Sequence, residues 1–293
     1  MKKVIMVLLL MTGVLVWATA CAQDCIIDKT QNEHAEFSFD ADAKILEVYF
    51  PKIYGCDAAF VRFGEHTMLI DCAGEQWREV RAMLESLGVQ EIEYALNSHP
   101  DRDHIGGFDR IIGKTPAKEF LLGFPEDYDS GDRERFVVYD ALHEMGIPFR
   151  QVKHGDQIHF GDVQIDVLQR TDEHLPRVNN KSVMLLIRYG ERSFYFTGDI
   201  QRDAQNLLAE AVNAGQVELK ADIMKFPHHG YANMQDSFLD AVSPQLVICT
   251  AGQTNTDGTK QLKDRKIAYM MTMRGGIKLT TDGKVWCAER FDY

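Results

Sequence analysis

The order of its elements predicts an α/β protein in which two β-sheets pack face to face beneath outer helices. Strand-like apolar runs precede and interleave with helical patterns along the whole chain. Several neighbouring runs are separated only by tight turns, which pair strands antiparallel and do not fit a single all-parallel sheet. No repeat of fixed short period breaks this pattern.

Residues 1–20 stand apart from the fold. MKKVIMVLLLMTGVLVWATAC carries Lys2 and Lys3, then an apolar stretch, then Ala18, Thr19 and Ala20, the layout of a secretory signal peptide. A retained membrane anchor is the rival reading. Cys21, directly after the small residues, resembles a bacterial lipoprotein cleavage site, although Ala18 stands where Leu is usual. The expected location is therefore periplasmic or extracellular, or bound to a bacterial membrane through a lipid on Cys21. Residues 21–44 form a polar lead, and 45–293 a single domain.

Within that domain ILEVYF (45–50), AAFVRF (58–63) and TMLIDCAG (67–74) read as consecutive strands punctuated by Gly55 and Gly64. WREVRAMLESLG follows with Val80, Met83, Leu84 and Leu87 on one helical face and Gly88 at its end. IEYALNS then resumes an extended run that delivers His99. A helix is predicted over 133–146, a hairpin over 155–169 turning at Gly161, and another over 182–199 turning at Gly190. A helix at about 201–214 ends at Gly215. ADIMKFP, PQLVICTAG, GGIKLTTDG and KVWCAERF supply further strands. The segment between Gly113 and Arg135 and the loop around Thr254–Lys260 read as the rim of a pocket.

Acidic side chains number 44 against 32 basic ones, a net charge of −12 that becomes −14 once Lys2 and Lys3 leave with the leader. That balance excludes a general affinity for nucleic acid, which depends on Lys and Arg displacing counterions. The six cysteines match no zinc-finger spacing. In an exported chain one or two disulfides are expected, with Cys72 and Cys249 read as buried thiols.

NSHPDRDHIGG, residues 97–107, places His99, Asp101, Asp103 and His104 where a strand ends. Imidazole nitrogens and carboxylate oxygens suit zinc, manganese or iron, and Gly106 and Gly107 would let the backbone turn and approach an ion. A polar loop with helix-capping aspartates is the plain alternative. YFTGDI and KFPHHG shift the balance, because they end two further apolar runs on Asp199 and on His228 and His229. Three strand ends thus offer His or Asp to one edge. Asp71 could hold a ligand's imidazole from behind. His34, His66, His143, His154 and His159 lack neighbouring ligands and read as ordinary histidines.

SHPDRDHIGG, NNKSVMLLIRYGERSFYFTGD, DIMKFPHHG and GGIKLTTDGKVW together resemble the ordered motifs of the metallo-β-lactamase superfamily, over roughly residues 45–290. The likeness is to the branch of ComEC-type competence protein extracellular domains and phosphorylcholine esterases. It implies an αββα sandwich of two mixed β-sheets and a centre of two divalent metal ions, zinc with manganese as the alternative. Carried over residue by residue, the metal set is His99 and Asp101 for the first ion, Asp103 and His104 for the second, Asp199 between them, and His228 or His229 completing the second. His228 is preferred as the ligand, leaving His229 to touch substrate. Asp101 stands where the wider superfamily has His, and Asn179 and Asn180 where many members have another; His174 is a reserve ligand. Tyr231 replaces a usual Ser.

The resemblance further implies hydrolysis by a hydroxide held between the ions, with Asp103, Asp199 and His229 as catalytic residues and Asp103 or His229 protonating the leaving group. No Gly-x-Ser-x-Gly elbow or phosphate-cradling Gly-rich loop competes with this reading. The expected protein is an exported phosphodiesterase acting on a small-molecule or envelope phosphoester. The alternatives are a lactonase or β-lactamase-like hydrolase, a nuclease, and a non-catalytic metal-binding lipoprotein.

Overall fold

Alternation along the strands sends side chains in two directions. In β4 (His66–Ile70), Met68 and Ile70 enter one apolar cluster while Leu69 enters another. In β12 (Ile223–Lys225), Ile223 and Met224 divide in the same way. The cluster shared by both strands joins Val48, Val61, Ile165, Leu185, Phe194 and Ile248, and is the core between two sheets. The chain thus forms the αββα sandwich. The computed structural model describes residues 26–29, 38–126, 128, 133–172 and 175–293. The leader, Cys21, Cys25, His34 and His174 lie outside the described residues.

The larger sheet has nine strands in the order β1-β16-β15-β2-β3-β4-β5-β6-β7. These are β1 (Ile26–Asp28), β2 (Leu46–Phe50), β3 (Ala59–Phe63), β4, β5 (Ile92–Asn97), β6 (Ala117–Leu122), β7 (Phe149–Gln151), β15 (Gly276–Thr281) and β16 (Trp286–Phe291). The seven-stranded sheet runs β14-β13-β12-β11-β10-β9-β8, from β8 (Gln157–Phe160), β9 (Val163–Leu168), β10 (Met184–Tyr189), β11 (Arg192–Phe196), β12, β13 (Leu246–Cys249) and β14 (Ala268–Met271). Both sheets are mixed: β4 to β7 run parallel, as do β11 to β14, while the hairpins are antiparallel.

Helices α1 (Trp77–Ser86), α2 (Arg102–Ile105), α3 (Phe108–Ile112) and α4 (Glu134–Met145) belong to the first sheet's outer face, where Val80, Met83, Ile111 and Leu142 pack on Leu69, Ala95 and Phe120. Helices α5 (Arg202–Asn213), α6 (Asp236–Val242) and α7 (Asp257–Asp264) cover the second, with Leu208, Phe238 and Leu262 against Tyr195, Met224 and Val247. Among the described residues no helix is long and apolar enough to cross a membrane.

Several sequence expectations are corrected. The segment after Gly113 opens with β6, a strand with a buried C-terminal half between β5 and β7. Residues 257–264 form α7, whose first turn is capped by Thr256 Oγ1 accepting from Thr259 N at 3.1 Å. Part of the polar lead joins the fold, since β1 pairs in parallel with β16. Cys56, Cys72, Cys249 and Cys287 are free and buried, so none of them forms an expected disulfide.

Candidate metal centre

Adjacent parallel strands end on the same side, so their C-terminal ends gather the residues that follow them. Asp71 comes directly after β4, His99 two residues after β5, Asp199 three after β11, and Thr250 directly after β13, while Lys225 is the last residue of β12. The β2–β3 loop adds Asp57. All are buried.

His104 lies in the first turn of α2. Its Nδ1 sits 2.8 Å from Asp71 Oδ2, and its Nε2 points at Asp199 Oδ2 (3.2 Å) and Asp103 Oδ2 (3.6 Å) without forming a hydrogen bond. Asp71 also accepts from Ser98 N (2.8 Å), Ser98 Oγ (2.6 Å) and Asn97 Nδ2 (3.2 Å). His229 repeats this plan from the second sheet. Its Nδ1 lies 3.1 Å from both Asp57 Oδ1 and Thr250 Oγ1, which leaves Nε2 at 3.0 Å from Asp103 Oδ2 and 3.2 Å from Asp199 Oδ2. Each imidazole is thus held by its Nδ1 so that Nε2 faces a shared point, the arrangement of a metal-binding histidine.

His99 turns its Nδ1 to Ser98 Oγ at 3.0 Å, and its fully buried Nε2 makes no hydrogen bond. Asp101 does not cap α2 through its side chain. It lies 3.4 Å from His99 Nε2 and accepts from Asn179 Nδ2 at 3.2 Å, so the helix-capping alternative does not describe it. The His99 and His104 rings are 4.0 Å apart.

His228 stands elsewhere. The structure brings His229, not the preferred His228, into the cluster; the His228 ring lies near Gln201 Nε2 (3.4 Å) and lines a cavity of about 390 Å³ with Arg177, Arg202, Asn233 and Gln235. The reason is local backbone: His228 (φ 51°) and His229 (φ 62°) both adopt the left-handed conformation, so two-residue alternation gives no guide to which ring faces the strand edge. Such conformations cost about 1–3 kcal/mol each. Gly106 and Gly107 pack closely against neighbouring segments. A Cβ on Gly106 would lie 2.5 Å from Arg102 O, and one on Gly107 2.5 Å from Trp77 Cβ.

Asp57 escaped the sequence reading, and Lys225, which with Arg274 could have marked a small basic groove for a nuclease, is instead fully buried at the site. Asp57 looks like a turn residue before a strand. Lys225 did carry a signal, a charge inside a wholly apolar strand run, which is costly unless paired. Its Nζ pairs with Asp57 Oδ2 and with Asp199 Oδ1 at 3.1 Å, and donates to Gly198 O at 3.0 Å.

Charge shapes the centre. Burial alone would lower the pKa of His104, but Asp199, Asp71 and Asp103 hold it well above the usual imidazole range. Burial is likewise outweighed at His229, by Asp199 and Asp57. Burial would raise Asp199, yet His229, His104 and Lys225 hold its carboxyl well below the usual range. His228, by contrast, is lowered by burial. The cluster attracts positive charge, and protonated imidazoles supply it where a cation could. One donor atom from each of Asp57, His104, Asp199 and His229 lies within 4.8 Å of all the others. Nitrogen and oxygen donors in this number fit a divalent transition metal.

The sequence matches the family model for the metallo-β-lactamase superfamily over residues 52–246. It is 27% identical to ComE operon protein 3 of Bacillus subtilis over 206 residues, covering 64% of this chain and 26% of that protein. It is 26% identical to Competence protein ComA of Neisseria gonorrhoeae over 200 residues, covering 67% of this chain and 25% of that protein. The chain thus spans about a quarter of the length of these curated relatives. Among solved structures it is similar to the metallo-β-lactamase fold protein YhfI from Bacillus subtilis, with a TM-score of 0.51 and 9% identity over 78% of this chain and 95% of that one.

Proposed function

The chain belongs to the metallo-β-lactamase superfamily, in its ComEC-like branch, and from that premise we propose that it is an exported metal-dependent phosphodiesterase. The observation that carries the reading is the pair of buried imidazoles, His104 and His229, each backed on Nδ1 by a carboxylate and each presenting Nε2 to Asp103 and Asp199. On this reading Asp103, His104, Asp199 and His229 would hold one ion, and His99, Asp101 and Asp199 would be the groups available to a second. Bound divalent cations would supply Lewis acidity and activate water at neutral pH.

The chain's own groups do the positioning. Asp71 and Asp57 keep each ring turned with Nε2 toward the ions. Both nitrogens of His229 would then be engaged, so the proton lost by the attacking water would be accepted by the ionised Asp103, whose side chain is 40% exposed at the mouth, and passed from there to the leaving group. His228, kept neutral by burial, takes the substrate-contact role first given to His229. Asp101, held by Asn179 Nδ2, makes the first position richer in oxygen, which supports a phosphoester over a lactam and admits manganese beside zinc. The acidic chain favours a small or envelope phosphoester over nucleic acid, and a lipid on Cys21 would tether it to the membrane.

The test is metal quantification of the purified mature chain alongside hydrolysis of bis(p-nitrophenyl) phosphate, nitrocefin and a lactone. Metal-dependent phosphodiester cleavage that is lost in Asp199→Asn is the expected result. Less than one ion per chain after reconstitution, or turnover of nitrocefin or the lactone alone, would overturn the reading.

A further inference from the structure

We propose that Lys225 sets which metal the centre accepts, by holding two carboxylate oxygens out of the coordination sphere. The inference rests on the metal-centre reading above. Lys225 is fully buried, and its ammonium meets three oxygens: Asp57 Oδ2, Asp199 Oδ1 and Gly198 O. Those contacts divide the labour of the two aspartates. Asp199 has one oxygen on the lysine and the other, Oδ2, facing His104 and His229. Asp57 has one oxygen on the lysine and the other on Thr250 and His229 Nδ1.

Asp57 nevertheless lies close enough to act as a ligand, since it can offer an atom within 4.8 Å of the donors of His104, Asp199 and His229. What keeps it in a supporting role is the ammonium. Charge leads to the same conclusion. Asp57, Asp71, Asp101, Asp103 and Asp199 against Lys225 leave four negative charges, which two divalent cations neutralise. Without Lys225 the cage carries five, and Asp57 Oδ2 and Asp199 Oδ1 become available. A set enriched in oxygen and negative charge loses selectivity for zinc and gains it for manganese.

The full mature chain, equilibrated with equal zinc and manganese and then desalted, is compared with Lys225→Met by elemental analysis. The bound zinc-to-manganese ratio is expected to fall at least about tenfold, the scale on which outer partners tune a site. Cobalt-loaded Lys225→Met should absorb more weakly in the visible, as higher coordination numbers do. Adding Asp57→Asn to Lys225→Met should return the ratio toward wild type, an effect that a packing role for the lysine would not produce. Should Lys225→Met fail to fold, Lys225→Gln, which also lacks the charge but can hydrogen-bond, is read with the same expectation. A folded uncharged variant with the wild-type ratio and cobalt spectrum overturns the inference alone. A wild-type chain that takes up no metal overturns the metal-centre reading itself, and this inference with it.

Discussion

Replacing Asp71 by asparagine separates the presence of His104 from its readiness to bind. Asp71 Oδ1 accepts from Ser98 N and Asn97 Nδ2, so an asparagine must keep its carbonyl oxygen there. Its amide nitrogen then takes the place of Oδ2, which lies 2.6 Å from Ser98 Oγ and 2.8 Å from His104 Nδ1. A donor facing Nδ1 selects the tautomer protonated on Nε2, the nitrogen that faces Asp103 and Asp199. The lone pair that a cation needs is withdrawn while the ring stays in place. Loss of such outer partners typically weakens metal affinity 10–100-fold, so a drop of at least about tenfold, or about 1.4 kcal/mol, is expected. Competition against a chromophoric chelator at neutral pH measures it, with circular dichroism of the metal-free protein verifying the fold. Affinity within about twofold of wild type in a folded Asp71→Asn would refute the tautomer argument.

His229→Ala should lose metal by at least about tenfold while His228→Ala retains it, because only the His229 ring meets Asp103 and Asp199; elemental analysis after dialysis distinguishes the two, and equal loss would contradict the placement. Metal uptake should release protons, because Asp199 and its neighbours outweigh burial and keep His104 and His229 protonated in the metal-free chain. Their raised values contribute stability that is fully present below the unfolded imidazole value of about 6.5 and is lost as pH climbs through the folded values. The Tm of the metal-free chain should therefore fall from about pH 6.5 upward unless metal is added, and a Tm that rises over that range would refute this. Gly107→Ala combines a φ of +92° with a Cβ 2.5 Å from Trp77 Cβ, and should lower stability by about 1–3 kcal/mol in urea unfolding. A change under about 0.5 kcal/mol would show that the turn relaxes freely.

The elements most legible in the sequence are those whose environment repeats along the chain. β2 to β5, the two central hairpins and α1 each carry an unbroken apolar period because one or both faces are buried. β6 was hidden by Lys118 and Glu119, whose charges pair with Glu91 and Arg150 on neighbouring segments and interrupt the apolar run. β7 and β14 are short edge strands, too brief for alternation to register.

The same rule explains which parts of the site were hidden. His99, Asp103, His104 and Asp199 were visible because each follows a strand that announces itself. Choosing between His228 and His229 needed knowledge of two left-handed residues that no periodicity encodes. Lys225 is the instructive case. It lies two residues beyond Ile223, so strand alternation turns it toward the inter-sheet space that Ile223 helps to fill. At that position the apolar core gives way to Asp57 and Asp199. Strand period accounts for where the side chain lies, but only a second charge from a loop some 170 residues earlier, Asp57, explains why an ammonium is stable there. A buried charge in a strand is thus the sequence's mark of a partner that the sequence alone cannot name.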